Sequence, residues 1–151
     1  MANIVLIHGA YQGGWIWQSV AKILRSKGHN VLTPTLDGCA ERSRQIRPGI
    51  TTETHGDEIA NLLFYEDIKD AVLVGTSSGG MVMAKAAELA RHRIKRLVFA
   101  DALALMDGER IGDFVNRETA INTSLSSGPP RHDVVNRLFR DLEEPTKSWA
   151  I

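Results

Sequence analysis

The sequence predicts an α/β fold, a parallel, doubly wound sheet with helices on both faces. Four short runs rich in apolar residues, at 2–7, 29–33, 70–74 and 94–100, read as strands. Segments with helical spacing of apolar residues separate them, so strand and helix alternate along the chain. Connections of that kind are right-handed crossovers, which set neighbouring strands parallel and bury both faces of the sheet.

Each element follows from its residues. ANIVLI (2–7) is a continuous apolar run stopped by His8-Gly9, the pattern of a strand with no solvent face. WIWQSVAKILRSK (15–27) sets Ile16, Val20, Ile23 and Leu24 on one stripe, and Gly28 stands where a helix C-cap belongs. HNVLT (29–33) is a second strand ended by Pro34. Residues 34–53 carry Pro, Gly and several basic side chains without periodicity and read as a long loop. Thr54 is a candidate N-cap for a helix running to Tyr65, with Ile59, Leu62 and Leu63 facing inward. Residues 70–74 form the third strand, 78–91 a helix and 94–100 the fourth strand. The sheet unit is 1–107. In 108–151 there is no strand signal, SLSSGPP (124–130) is a break, and short helices fit near 111–119, near 134–142 and from Glu144 onward. The last of these reaches Ile151 without a C-terminal cap.

Composition narrows the function classes. A chain of 151 residues, 43% hydrophobic, has room for one core and can bury roughly 70% of its unfolded surface. Eighteen acidic and eighteen basic residues cancel, so no net field recruits nucleic acid or an anionic membrane. Cys39 is the single cysteine and has no internal disulfide partner. MANIVLIHGA lacks the charge and apolar length of a signal peptide, and no run approaches the roughly 18 apolar residues of a membrane span. Together these features point to the cytoplasm. No cluster of His, Cys and carboxylates has metal-ligand spacing, and no cofactor is expected.

The chemistry concentrates at VLVGTSSGGMV (72–82). Gly75-Thr76-Ser77-Ser78-Gly79 fits G-x-S-x-G, and it sits between a strand and a helix as that motif requires. In so sharp a turn the serine takes a strained backbone and projects its hydroxyl over the sheet end, next to the positive end of the helix dipole. Chance alone produces the pattern in about one chain of this length in twenty, and the strand-to-helix context lowers that rate sharply. A phosphate-binding loop is the competing reading, and Met81 stands where its lysine belongs. Ser77 is therefore the candidate nucleophile. An acyl-transfer nucleophile needs donors for the oxyanion, one from the residue after it and one from the loop after an adjacent strand. Those are Ser78 and Ala10, the latter in HGAYQGG (8–14). Gly9 and Tyr11 beside Ala10 are the candidate substrate-contacting residues, with packing the alternative for Tyr11.

With HGAYQGGWIW (8–17), TPTLDGCAERS (33–43) and LVFADALALMDGE (97–109), this turn makes the chain resemble the α/β-hydrolase superfamily. The similarity is to the branch of small carboxylesterases, plant methyl-ester esterases and hydroxynitrile lyases. It implies an α/β-hydrolase sheet, a helical cap beginning at 108–151 and incomplete there, and Ser77 as nucleophile of a carboxylic ester hydrolase. It also implies a triad in the order Ser, Asp, His, with the acid and the base following later strands that this chain does not contain. The expected partners are a small-molecule ester and a second polypeptide supplying the missing Asp and His. Cyanohydrin-cleaving relatives carry threonine where this chain has Gly9, which weighs against the lyase alternative. A non-catalytic ligand-binding protein is the other alternative. His8 belongs to the oxyanion loop, His29, His55 and His92 read as structural or surface residues, and His132 is the one histidine that could lie above the site. Asp101, ending the fourth strand, could face the crevice but reads first as structural. Trp15, Trp17, Met81 and Met83 read as packing residues, Cys39 as an inert thiol, and Arg42, Arg44 and Arg47 as a solvated face.

Overall fold

In a computed structural model that describes residues 1–114 and 139–150, the apolar runs form four parallel strands in the order β2-β1-β3-β4. They are β1 (Asn3–Ile7), β2 (Asn30–Leu32), β3 (Ala71–Ser77) and β4 (Ile94–Ala102). Helices α1 (Gln18–Ser26), α2 (Thr52–Tyr65) and α3 (Gly79–Leu89) make the crossovers, and among the described residues the short helices α4 (Ile111–Phe114) and α5 (Thr146–Ala150) follow. The first crossover leaves β1 toward β2 and the second returns past it to β3. Strands β1 and β3 are thus neighbours, in register from Ile4↔Val72 to Ile7↔Gly75. Such a reversal opens a crevice at the carboxyl ends of the two strands.

Alternation along the strands sorts the core into two layers. Val5, Ile7, Ala71 and Leu73 pack with Ile59 and Leu63 of α2 and Val82, Met83 and Ala86 of α3. On the other face Ile4, Leu6 and Val31 pack with Ala21 of α1, flanked by Trp17 and Leu24.

The structure departs from the expected elements in three places. Val20 and Ile23 of α1 are 41% and 56% exposed; of the expected stripe Leu24 does pack inward, beside the buried Ala21 and the half-buried Trp17. The helix meets the sheet through the small Ala21, and the segment ahead of it, Gly14–Trp17, is a 3₁₀ turn. Second, α2 is capped by Thr51, not Thr54. The Thr51 hydroxyl accepts from the Thr54 amide at 3.3 Å and the Thr54 hydroxyl from the Thr51 amide at 2.9 Å, a reciprocal box. Third, the long loop is pinned. Arg42 donates to the Thr35 carbonyl at 2.7 Å, pairs with Glu58 and lies 3.5 Å from Asp37, whose other oxygen is 2.6 Å from Arg47. Arg42 is an anchor, whereas Arg44 and Arg47 are exposed as a solvated face expects, Arg47 while also pairing with Asp37. The Arg47 guanidinium holds the Asp37 carboxyl below the usual carboxylate range.

Strand β4 is an edge: among the described residues it pairs only with β3, and its Val98 and Phe99 are 38% and 42% exposed. Helix α4 occupies the start of the expected 111–119 helix, α5 matches the one expected after Glu144, and the 134–142 helix falls largely outside the described residues.

Candidate active site

Strand β3 runs directly into α3, and Ser77 takes the turn between them at φ 50° with its side chain exposed. A left-handed backbone at a non-glycine residue costs on the order of 1–3 kcal/mol and persists only where its surroundings enforce it. Here the enforcement is close backbone approach. A Cβ on Gly75 would sit 2.8 Å from the Gly79 carbonyl, and one on Gly79 2.7 Å from the Ile7 and His8 carbonyls. The turn therefore closes only with glycine at both flanks.

The loop after β1 leans on the same serine. A Cβ on Gly9 would stand 2.7 Å from the Ser77 Cβ, so the two segments are in direct contact and Ala10 follows immediately. Gln12 fixes the loop by accepting the Gly9 amide at 3.0 Å. Among the described residues, neither the Ala10 nor the Ser78 amide donates to another protein group. Tyr11 lies at φ 65° and 47% exposed.

His8 is 1% exposed with both ring nitrogens engaged. Its Nε2 accepts the Leu36 amide at 3.0 Å, which leaves Nδ1 to donate to the Gly9 carbonyl at 2.8 Å. Burial lowers its pKa, so the neutral ring holds the loop to the segment after β2 and is not free to shuttle a proton. His29 and His92 precede β2 and β4, at the amino end of the parallel strands, away from Ser77 at the carboxyl end. His55 bonds the Asp37 carbonyl at 2.9 Å. His132 lies outside the described residues. Asp101 is exposed at φ 50°, in a bulge where the register passes from Gly75↔Phe99 to Ser77↔Ala102. Just beyond it, the Leu103 amide donates to the Ser77 carbonyl at 2.9 Å. Burial pushes the half-buried Cys39 thiol up, as suits an inert group.

Sequence reasoning missed Gln12, Thr35 and Arg42, which brace this end of the sheet. The Thr35 hydroxyl accepts the Gly14 amide at 2.9 Å. Trp15 also carries more than core packing: Trp149 and Phe139 meet it edge-to-face at centroid distances of 5.0 and 6.1 Å. No periodicity signals a contact across more than a hundred residues.

With this geometry in place, comparison identifies the fold. Residues 2–148 match the α/β hydrolase fold family, and the chain belongs to it. It is 40% identical over 111 residues to the carbendazim hydrolyzing esterase of Nocardioides sp. (strain SG-4G), covering 74% of this chain and 46% of that protein. It is 35% identical over 101 residues to the alpha-hydroxynitrile lyase of Arabidopsis thaliana, covering 66% and 39%. An extracellular α/β-hydrolase from a Paenibacillus species superposes with a TM-score of 0.69 at 34% identity, over 75% of this chain and 46% of that one. The chain thus spans less than half the length of these relatives. Among the described residues no helix is long and apolar enough to cross a membrane.

Proposed function

We propose that this chain carries the nucleophile and oxyanion half of a serine hydrolase that cleaves carboxylic esters through an acyl-Ser77 intermediate. The observation that carries the reading is the contact of Gly9 with Ser77, the serine held exposed at φ 50°. Attack by the Ser77 oxygen on the ester carbonyl would place the new oxyanion between the Ala10 and Ser78 amides, beside the N-terminus of α3. The alcohol leaves with a proton, and water releases the acid from Ser77. Both proton transfers need a base. Since no described histidine has a free nitrogen beside Ser77, the Asp and His are assigned to a second polypeptide segment docked along β4. The half-exposed Val98 and Phe99 are the apolar surface it would cover. The segment 108–151 is read as the start of a cap, resting on the loop after β1 through the Trp149–Trp15 contact.

Gly9 also favours hydrolysis over cyanohydrin cleavage, because it has no side-chain hydroxyl to hold a cyanohydrin's own hydroxyl. The test combines the chain with the C-terminal half of its Nocardioides relative and presents p-nitrophenyl esters, short and aromatic, with carbendazim among the further substrates. A serine-directed phosphonate should label Ser77, and Ser77→Ala should abolish turnover. Cyanide release from mandelonitrile without esterase activity would overturn the assignment, as would labelling at another serine.

A further inference from the structure

A cleft of about 300 Å³ opens beside the loop that carries the Ala10 amide, lined by Gly14, Trp15, Gln18, Thr33, Thr35 and Glu41. We propose that it is a subsite for a protonated amine on the substrate, held by the Glu41 carboxylate against the Trp15 side chain. This builds on the ester-hydrolysing reading of Ser77.

Position comes first. The loop after β1 touches Ser77 at Gly9 and reaches the cleft at Gly14. Thr33, at the carboxyl end of β2, is two strands from β3, about 10 Å at the usual strand spacing. A substrate of ordinary size can therefore place its carbonyl at Ser77 and a side group in the cleft. The volume lies at the small end of ligand sites, about 300–1,000 Å³, enough for a group rather than a whole ester.

The floor is built, not incidental. A Cβ on Gly14 would run into the Thr33 carbonyl, and one on Gly13 would come within 2.7 Å of the Ala40 Cβ. The Gly14 amide is bound by the Thr35 hydroxyl at 2.9 Å, which fixes the loop over β2.

Charge selects the ligand. Arg42 and Arg47 are spent on Glu58 and Asp37. Among the described residues no cation stands within ion-pair distance of Glu41. Hydrogen bonding by the Thr35 hydroxyl holds the Glu41 carboxyl below its usual range, so it is an anion at neutral pH. An exposed carboxylate, the Gln18 amide carbonyl and an indole wall together suit an ammonium group on an apolar stem. A carboxylate ligand would meet repulsion there, and a neutral alcohol would gain only ordinary hydrogen bonds.

The experiment uses the full chain carrying Ser77→Ala, so that binding is read without turnover. Ligand-observed saturation-transfer NMR at micromolar protein compares benzylammonium, benzyl alcohol and benzoate. Benzylammonium should bind about tenfold more tightly than benzyl alcohol, with benzoate weakest, and Glu41→Gln should erase the preference. Glu41 is exposed, so that variant should keep the wild-type circular dichroism. Gln18→Ala gives a second reading, with benzylammonium weakened about threefold. Equal affinity for amine and alcohol, or a preference that survives Glu41→Gln, overturns the subsite. Such a failure alongside phosphonate labelling of Ser77 removes the subsite and leaves ester hydrolysis standing. An intact amine preference with Ser77 unlabelled removes hydrolysis and leaves an amine-binding cleft.

Discussion

On the β1–β2 side of Ser77 the backbone is cross-tied: His8 holds the Leu36 amide, Thr35 the Gly14 amide and Arg42 the Thr35 carbonyl. On the β4 side the strand has one described neighbour, and Val98 and Phe99 stand partly in solvent. Ser77 lies on the seam between a braced wall and an open one. Groups that receive negative charge can be assembled from the braced side, because they are backbone amides fixed by local turns. On the proposed reading, the groups that handle protons come from across β4, where Asp101 is the carboxylate this chain places at the end of the strand.

The largest expected effect tests that division. Alone, the chain should hydrolyse p-nitrophenyl esters about 10⁴–10⁶-fold more slowly than when combined with a segment supplying Asp and His, the range expected for loss of a triad base. Intact mass and copurifying polypeptides show which state a preparation is in. Full activity from the 151-residue chain would break the comparison and make His132 and Asp101 the base and acid to mutate first.

Next comes the contact that joins the braced wall to Ser77. Gly9→Val puts a side chain where 2.7 Å separates the new Cβ from that of Ser77. Displacing the loop should cost about 10²–10³ in the rate of Ser77 phosphonylation in the combined protein, the effect of losing one oxyanion donor. Stability should fall by about 1–3 kcal/mol, as for overpacking. Labelling at the wild-type rate would show that the Ala10 amide plays no part.

The braced wall and the open one were unequally legible. Local signals gave the strand–helix turn at Ser77, since glycines at 75 and 79 and an apolar run before them leave few alternatives. They also gave the inward faces of α2. The bracing was not legible, because Arg42 and Thr35 act on partners chosen by the fold, and arginines without periodicity look solvated until their carboxylates arrive. The inward face of α1 was misplaced because the small Ala21, which makes the sheet contact, carries little apolar signal beside Val20 and Ile23, and these stay at the surface. For the open wall, IKRLVFA announced a strand that needs a neighbour but not what the neighbour is.

His8 sharpens the braced side through pH. Burial lowers its pKa from 6.5, so the unfolded chain binds the proton more readily than the folded one. Its contribution to stability is present above pH 6.5 and is lost as pH falls below that value toward the folded pKa. His8→Ala should remove this dependence and cost about 1–3 kcal/mol through the unpaired Leu36 amide. Urea midpoints measured on either side of pH 6.5 read both effects. A wild-type midpoint flat across that window would mean His8 is not held neutral by burial.

The smallest effect belongs to the open wall. Val98 pairs with Val74 in the parallel register, so both face the α1 side of the sheet. There Val98 is 38% exposed, and Val20 and Ile23 of α1 are exposed as well. In the chain by itself, Val98→Lys should change unfolding free energy by no more than about 0.5 kcal/mol, as for a surface position. Yet a charge beside an unpaired edge opposes strand-to-strand association, so concentration-dependent light scattering should drop. In the combined protein the same substitution would bury an unpaired ammonium and should weaken assembly. A loss of several kcal/mol in the isolated chain would mean that Val98 is already covered there, and the open wall would be closed.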